Sequence, residues 1–428
     1  MSRLPHDTSG RAPISDTEPT RISVDRYIST QWMDRENRQL WPRVWQIACS
    51  VDHVANPGDF YEYRAGWNSI LIVRGDDGVL RAFQNTCRHR GNLICQGTGT
   101  GLDELRCQYH RWAWHTDGTV AEIPSRKWLG TIDNDELALF PALVDTWGPT
   151  VWVNLDTQAM PLSEWLEGIP DDAAWANIED YRCNTLVVRS MPANWKVVSE
   201  GFSETYHIQG VHPEMLRYID DVGARQRLWK RHSVSYQDYG VPSPRLGSDV
   251  SDEEVWQAWV QSLHSRLGLG SGDPTPMPTI PQDATLQDVL AQMIVDTQAG
   301  RGVDISHLDT KRLTGATQYN FFPNATMILW SDMINILSTR PGATPDECQF
   351  VITNFHRVPP GSPRAQPTTV DPYPPEIPLG LVMGQDIGIM QTTQRGLHQP
   401  ALTELIVSSE ESRLINLHRN LDEWCAPD

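Results

Sequence analysis

The chain has 428 residues, room for two or three domains at the usual ~100–200 residues each. Its 39% hydrophobic and 21% charged residues place it among globular chains, and 54 Asp and Glu against 35 Lys and Arg, a net charge of −19, argue against nucleic acid or an anionic membrane as a general partner. No apolar run approaches the ~18–20 residues of a membrane span, and residues 1–20 lack the apolar core and cleavage site of a secretory signal, so a soluble, cytoplasmic protein is expected.

The first residues form a polar arm, expected to be partly disordered. From about Arg21 to Ile47 the pattern is helical at its core, with Tyr27, Trp32 and Trp41 as packing anchors. From Ile47 to about Asp156, short β-rich runs (Ser69–Arg74, Val79–Asn85, Thr150–Asn154) alternate with turn signals at Pro57-Gly58, residues 75–78, Gly91 and Asp117-Gly118, which suggests a small antiparallel β domain. Beyond Leu162, helical periods mix with strands at Leu186–Arg189 and Gln318–Phe322. The stretch 241–309 is irregular, rich in Pro, Gly and Asp, with two helices at about Asp252–Leu267 and Leu286–Thr297; a connection of this length is a lid, an interface element or a disordered insert. A last helix is expected at Gly384–Gly396, stopped by its glycine.

Of the seven cysteines, Cys49, Cys183, Cys348 and Cys425 stand alone and read as inert thiols. Cys87 and His89 are two apart in FQNTCRHRGN, and Cys107 and His110 three apart in RCQYHRWAWHTDG. Two thiolates and two imidazoles can hold Zn²⁺, but a zinc finger pairs Cys with Cys and His with His. Two tips that each deliver one sulfur and one nitrogen suit a [2Fe–2S] cluster with two Cys on one iron and two His on the other, the Rieske arrangement. With Gly91, Tyr109, Trp112 and the Asp117-Gly118 turn, residues Val44 to Asp156 resemble the Rieske iron–sulfur domain; Arg111 stands where that family usually carries Gly. His115 reads as a surface or packing residue. Arg88, Arg90, Arg106 and Arg111 around the ligands are either ordinary loop charge or a docking patch for an acidic electron donor. Gly97–Gly101 lacks the βα context of a dinucleotide fingerprint, so electrons must come from another chain, a ferredoxin and/or a flavin reductase.

The segment ANWKVVSEGFSETYHIQGVHP places Lys196, Glu200, Glu204 and His207 on one face if it is helical. His207 and His212 are five apart, about 140° on a regular helix, and converge only if the helix loosens or ends, for which Gly210 and Pro213 supply the means. Two His and one carboxylate with open positions make the facial triad of non-haem Fe(II) oxygenases.

The chain from about Val44 to Gly396 thus resembles the catalytic α subunit of Rieske non-haem iron oxygenases, the ring-hydroxylating dioxygenase family, through Asn194, Trp195, Lys196, Glu200, Glu204, Tyr206, His207 and His212. The resemblance implies a third iron ligand in GQDIGIMQTTQRGL, Asp386 at the start of a helix, rather than Asp332, Asp346 or Asp371, with Gln394-Arg395-Gly396 trailing it. It implies that Glu204 bridges His207 to His110 of a neighbouring subunit in a head-to-tail trimer. Two departures stand out: Glu204 replaces the Asp of many aromatic dioxygenases, and Gly201 replaces the usual Asn, removing a polar group near the iron. The Glu form resembles the branch with α-only trimers acting on non-aromatic or quaternary-ammonium substrates.

The expected architecture is α+β: an N-terminal arm and helix (1–43), a β-rich Rieske [2Fe–2S] domain (44–160), and a helix-grip-like catalytic domain with an antiparallel sheet (161–428) that binds mononuclear Fe(II). The expected activity is O₂-dependent hydroxylation, as cis-dihydroxylation, of a hydrophobic aromatic ring. The alternatives are a monooxygenase acting on a steroid or methylated amine and, more remotely, an electron carrier without catalysis. Gly201, Phe202, Phe322, Trp330 and Met383 are candidate pocket walls. The expected assembly is a homotrimer or an α3β3 complex with a β subunit.

Overall fold

The computed structural model describes residues 5–270 and 275–426. Its N-terminal part is a seven-stranded sheet in the order Gln46–Ser50, Thr150–Asn154, Pro141–Trp147, Leu80–Gln84, Asn68–Arg74, Phe60–Ala65 and Thr98–Gly99. A three-stranded sheet of Val120–Glu122, Ala113–Trp114 and Leu105–Arg106 stands beside it. The C-terminal part is a nine-stranded, mainly antiparallel sheet, so the architecture is α+β. Its long strand Tyr181–Met191 buries Tyr181 and Cys183, slips phase at a bulge between Cys183 and Thr185, and then buries Leu186, Val188 and Met191. The bulge is what lets one strand keep both halves of its apolar pattern on a packed surface. Leu186, Val188 and Val351 join Ala48, Tyr61, Tyr63, Val151 and Val153 in one apolar cluster, which fastens the two sheets together.

The helix Trp195–Glu200 packs on the strands Met333–Pro341 and Cys348–Arg357, and the helix Leu381–Leu397 packs on it in turn. The C-terminal helix Ser412–Trp424 lies against the strand Ser233–Gln237. No helix among the described residues is long and apolar enough to cross a membrane.

Two expectations change. Residues 1–4 lie outside the described residues, but the rest of the arm is docked: His6–Asp7 adds an edge strand beside Arg225–Leu228, Ile14 is buried, and Arg11 bonds Asn416, Asn420 and Glu423. Composition could not show those distant acceptors. The segment 21–47 is helical at its core as expected, in the helices Asp25–Ile28 and Thr30–Arg35 and a π-turn at Glu36–Leu40, and Thr20–Ser23 before them pairs with Glu404–Val407. The stretch 241–309 is a packed element, apart from residues 271–274, which lie outside the described residues. Its helices Asp252–Leu263 and Leu286–Ala299 bury Trp256, Trp259, Leu290 and Ile294 around Tyr239 and Trp330, and Arg266 ties it to Asp332 at 2.9 Å.

Two buried polar contacts generate predictions. Glu36 accepts from Lys196 Nζ at 2.5 Å, Trp32 Nε1 at 2.8 Å and Trp195 Nε1 at 2.9 Å, with almost no exposure of either charge. Glu36→Ala strands the ammonium and is expected to cost about 3–5 kcal/mol in urea unfolding, whereas replacing both partners by Leu and Met costs far less. His232 donates from Nε2 to Trp165 O at 2.8 Å and accepts at Nδ1 from Phe322 N–H at 3.0 Å, so it is neutral, and burial pushes its pKa down to about 3. The unfolded chain protonates this histidine below pH ~6.5 while the folded one does not until about 3, so its contribution is present above 6.5 and lost as pH falls. From pH 7 to 5 the expected loss is about 2 kcal/mol by urea titration, with a shallower slope in His232→Gln.

Candidate metal centres

The two cluster tips are built alike. Cys87 O accepts from Gly91 N–H at 2.9 Å, and Cys107 O accepts from Arg111 N–H at 3.1 Å, each closing a turn. Each of these turns spans five residues, and both closing residues are left-handed, Gly91 at φ +74° and Arg111 at φ +65°. A glycine meets that requirement without strain, which gives the physical reason for the family's usual residue at 111; this chain holds an arginine there, its guanidinium on Gln108 Oε1 at 3.1 Å.

Inside the tips Cys87 and Cys107 are buried, while His89 is exposed and His110 half-buried, their rings 4.5 Å apart. Trp112 stacks on His89 at 4.9 Å, and Tyr109 lies 3.8 Å from His110. Burial raises the Cys87 thiol, offset in part by the His89 and Arg90 amides. Burial also pushes Cys107 up, but the Tyr109 and His110 amides, with Cys87 and Asn92, bring it below its ordinary value. Two sulfurs turned inward under amide donors and two imidazoles at the rim suit a cluster with one all-sulfur iron and one imidazole-bearing iron. Cys95 stands apart, its carbonyl taken by Asn85, and His115 is exposed at the Asp117-Gly118 turn.

The rim arginines do not form one patch. Arg106 is neutralised by Glu104 and Glu122 and braces Arg111 O at 2.9 Å, so its expected docking role gives way to a structural one. Arg88 lies over Phe140 at 3.8 Å and Arg90 over Tyr109 at 5.1 Å; with Arg111 they remain as the cationic rim.

The second centre starts from Asn194, which caps Trp195–Glu200 by accepting from Lys196 N–H at 3.0 Å and donates to Tyr27 O and Pro345 O at 2.9 and 2.7 Å. Its backbone N–H reaches Gln394 Oε1 at 2.9 Å, tying this segment to the helix that carries Asp386. The helix ends at Glu200, so Lys196, Glu200, Glu204 and His207 do not share a solvated face; Lys196 and Glu200 are buried. His207 and His212 flank a single helical turn, Ile208–Val211, and His212 leaves it at φ −126°. Gly210 lies inside that turn with no left-handed angle, so the two imidazoles converge because the helix is short.

Glu204 accepts from His207 twice, from Nδ1 at 2.6 Å and from the backbone N–H at 3.0 Å. Gln385 Oε1 takes His212 Nδ1 at 2.7 Å. Both imidazoles therefore carry hydrogen on Nδ1 and turn Nε2 toward Asp386 Oδ1, which is 3.8 Å from His207 and 2.8 Å from His212. The three ligand atoms lie within 4.8 Å of one another. Burial lowers the His212 pKa, but the hydrogen bond and charge of Asp386 outweigh it and raise the net value. Two nitrogens, one carboxylate and oriented outer partners fit a ferrous ion with open positions. Asp332, Asp346 and Asp371 are engaged elsewhere, by Arg266, by Gln394 with His398, and by Arg64.

A cavity of about 350 Å³ shares the walls of this triad. Glu200, Gly201, Glu204, His207 and Asp386 face it, together with Tyr27, Glu411 and aliphatic side chains including Val197, Val211, Ile389, Met390 and Leu397. Of the expected pocket walls Gly201 alone lines it. Met390 Cε lies 2.7 Å from where a Gly201 Cβ would stand, so the space freed by the missing Asn is filled. Phe202 stacks on Phe350, Phe322 packs with Trp165 and Trp424, Trp330 packs on Tyr239, and Met383 rests on the main core. Apolar type alone does not separate a pocket wall from ordinary core. His418 and Glu411 carry no signal in the sequence, Tyr27 stands there only as a packing anchor, and Gln385 had a local signal, its place beside Asp386.

A family model described as the Rieske [2Fe-2S] domain matches residues 44–133, and one described as the ring hydroxylating alpha subunit (catalytic domain) matches residues 172–427. The chain belongs to that family of Rieske non-haem iron oxygenases, whose members carry a Rieske [2Fe–2S] cluster and a mononuclear iron. It is similar to the carnitine monooxygenase oxygenase subunit of Acinetobacter baumannii, 25% identical over 305 residues that make up 70% of this chain and 77% of the relative. The benzene 1,2-dioxygenase subunit alpha of Pseudomonas putida is 27% identical over 207 residues, 47% of this chain and 46% of the relative. Among solved structures, the quaternary ammonium Rieske monooxygenase CntA in complex with L-carnitine has the same fold, with a TM-score of 0.66 at 16% identity, covering 94% of this chain and 95% of that one.

Two measurements test the donor assignments. Asp386→Ala is expected to lower the metal content from about three irons and two acid-labile sulfides per chain to about two and two, with an unchanged Rieske resonance. Gln385→Leu frees the His212 ring and is expected to weaken Fe(II) affinity by about 10–100-fold in a chelator competition.

Proposed function

We propose that this chain is the oxygenase component of a Rieske monooxygenase that hydroxylates a small methylated amine. The observation that supports this reading most is the cavity beside His207 and Asp386: aliphatic walls for methyl groups, carboxylates for a positive charge, and space of about 350 Å³, near the small end of ligand pockets. An aromatic hydrocarbon brings no charge to offset the carboxylates around it, so the aromatic cis-dihydroxylation expected from the sequence gives way to its alternative. The carnitine monooxygenase relative, aligned over more of both chains than the benzene dioxygenase, supports the same choice.

In this reading Cys87, His89, Cys107 and His110 hold the cluster, and His207, His212 and Asp386 hold the iron. Bound at these sites, a Rieske cluster supplies electrons and a ferrous ion supplies the reductive activation of dioxygen. The net reaction converts a C–H bond, dioxygen, two electrons and two protons into an alcohol and water. Glu204 and Gln385 keep both imidazoles in the tautomer that presents Nε2, and the aliphatic walls exclude bulk water from the reacting methyl group. The electrons come from a ferredoxin and/or flavin reductase docking at the rim of Arg88, Arg90 and Arg111, and Glu204 serves as the contact to His110 of a second copy in a homotrimer.

Oxygen uptake by the reconstituted enzyme, with product analysis, tests the reading. Uptake coupled to an oxidised product is expected with methylated amines and not with benzene or naphthalene; the opposite pattern overturns it.

A further inference from the structure

The bend that carries Glu204 is held from behind. Beyond the end of the helix Trp195–Glu200, Phe202 O accepts from Gln318 Nε2 at 3.0 Å and from Asn320 Nδ2 at 3.1 Å. Both amides stand on the strand Ala316–Phe321, two residues apart and so on one face. Asn320 Nδ2 also reaches Ser203 Oγ at 3.3 Å, and Ser203 Oγ donates to Ser199 O at 3.0 Å. Glu204 follows at once, and His207 takes both its oxygens, through Nδ1 at 2.6 Å and the backbone N–H at 3.0 Å.

What turns both amides the right way is Arg413. Its Nη1 donates to Gln318 Oε1 at 2.8 Å and to Asn320 Oδ1 at 2.7 Å. A guanidinium accepts nothing, so each amide must give it the oxygen and send its NH2 the other way, to Phe202 O. Gln237 Nε2 donates to Gln318 Oε1 at 3.0 Å and fixes the same orientation from the neighbouring strand Ser233–Gln237. Arg413 comes from the helix Ser412–Trp424, is 2% exposed, and forms no ion pair among the described residues. Burial pushes its pKa down to about 10, with the charge of Glu204 opposing, so it stays a cation at neutral pH. A buried cation without a paired carboxylate is costly to keep, and what this one does is orient the two amides.

We propose that Arg413 is a positioning residue for the mononuclear iron site, acting through Gln318 and Asn320 on the Phe202 carbonyl, and through the bend at 202–204 on the carboxylate that orients His207. This inference rests on the assignment of His207, His212 and Asp386 to the iron. Without the guanidinium, each amide can flip its oxygen toward Phe202 O, where two acceptors repel. The carbonyl then loses its donors, and Glu204 is no longer held against His207 Nδ1. The His207 ring is left to turn Nε2 away from Asp386, and the metal site loses a nitrogen for part of the time. Arg413 hydrogen-bonds to no ligand and does not line the cavity beside the triad, so contact with substrate plays no part in the effect.

The test is Fe(II) affinity, measured by chelator competition on the full-length enzyme with its Rieske cluster intact and its mononuclear iron removed. Arg413→Met is expected to weaken Fe(II) binding about tenfold, with an unchanged Rieske resonance. A double-mutant cycle separates positioning from a general structural defect. In a Glu204→Ala background, which has already lost the carboxylate, Arg413→Met is expected to cause no further loss, because the two residues act in series. A general defect would add its own loss to that of Glu204→Ala. Where Arg413→Met does not fold, Gln318→Leu takes its place in the same cycle, with a smaller loss because Asn320 remains. Unaltered Fe(II) affinity in the single variant overturns the inference, as do additive losses in the cycle. A wild-type enzyme that takes up no iron beyond its cluster removes instead the ligand assignment on which the inference rests.

Discussion

The site depends on the register between two segments that meet far apart in sequence. Asp386, Met390 and Gln394 recur every four residues on one face of the helix Leu381–Leu397, all nearly buried. Each meets one point of the segment 194–212: Gln394 takes the Asn194 backbone N–H, Met390 Cε abuts Gly201, and Asp386 reaches His212. The two run in opposite directions, so the contacts close like a zip, and Gln385 adds a fourth at His212 Nδ1. A slip of one helical turn would move Asp386 by about 5.4 Å, out of range of both imidazoles. The glycine at 201 belongs to this register. A side chain there would have to displace Met390, so the departure from the family's Asn is tied to the methionine four residues beyond the carboxylate.

A second constraint is how the chain keeps buried carboxylates in place. Glu36 is met by an ammonium and two indoles, Glu200 by a phenol and an imidazole, and Glu204 by one histidine twice. These choices produce different outcomes. The ion pair at Glu36 is internally satisfied and anchors the helix Trp195–Glu200 to the N-terminal segment. Glu204 orients a ring. Glu200 is held between Tyr27 and His418 at the edge of the cavity. Buried acids are expensive unless paired or used, and Glu36 and Glu200 are met directly by Trp195 and Tyr27.

The cluster tips follow a different logic, in which backbone geometry comes first. Both loops turn on a left-handed residue four positions after the cysteine, and both aim backbone amides at the buried sulfur. Amide donors stabilise thiolate charge without adding a formal charge, which leaves the imidazole rim as the polar, exposed side. Arg111 accepts the strained backbone in exchange for a guanidinium on that rim.

How much of this was readable from the sequence follows from distance along the chain. Cys87, His89, Cys107 and His110 declare themselves because each ligand pair sits inside one turn, and His207 with His212 for the same reason. Asp386 was readable as a candidate through its surrounding pattern, since helix period and a trailing Gln394 are local features. The cavity was not. Tyr27, Glu200, His418 and Glu411 come from elements as much as 391 residues apart. Phe202, Phe322 and Trp330 looked like pocket walls because residue type reports a preference for burial and says nothing about which void is nearby. The N-terminal segment misled for the related reason that a polar composition predicts exposure, whereas Arg11 and Ile14 find acceptors and apolar partners supplied by the far end of the chain. Ligand sets are local and survive in a sequence; the sign of a cavity is a property of packing, and appears only when the elements are brought together.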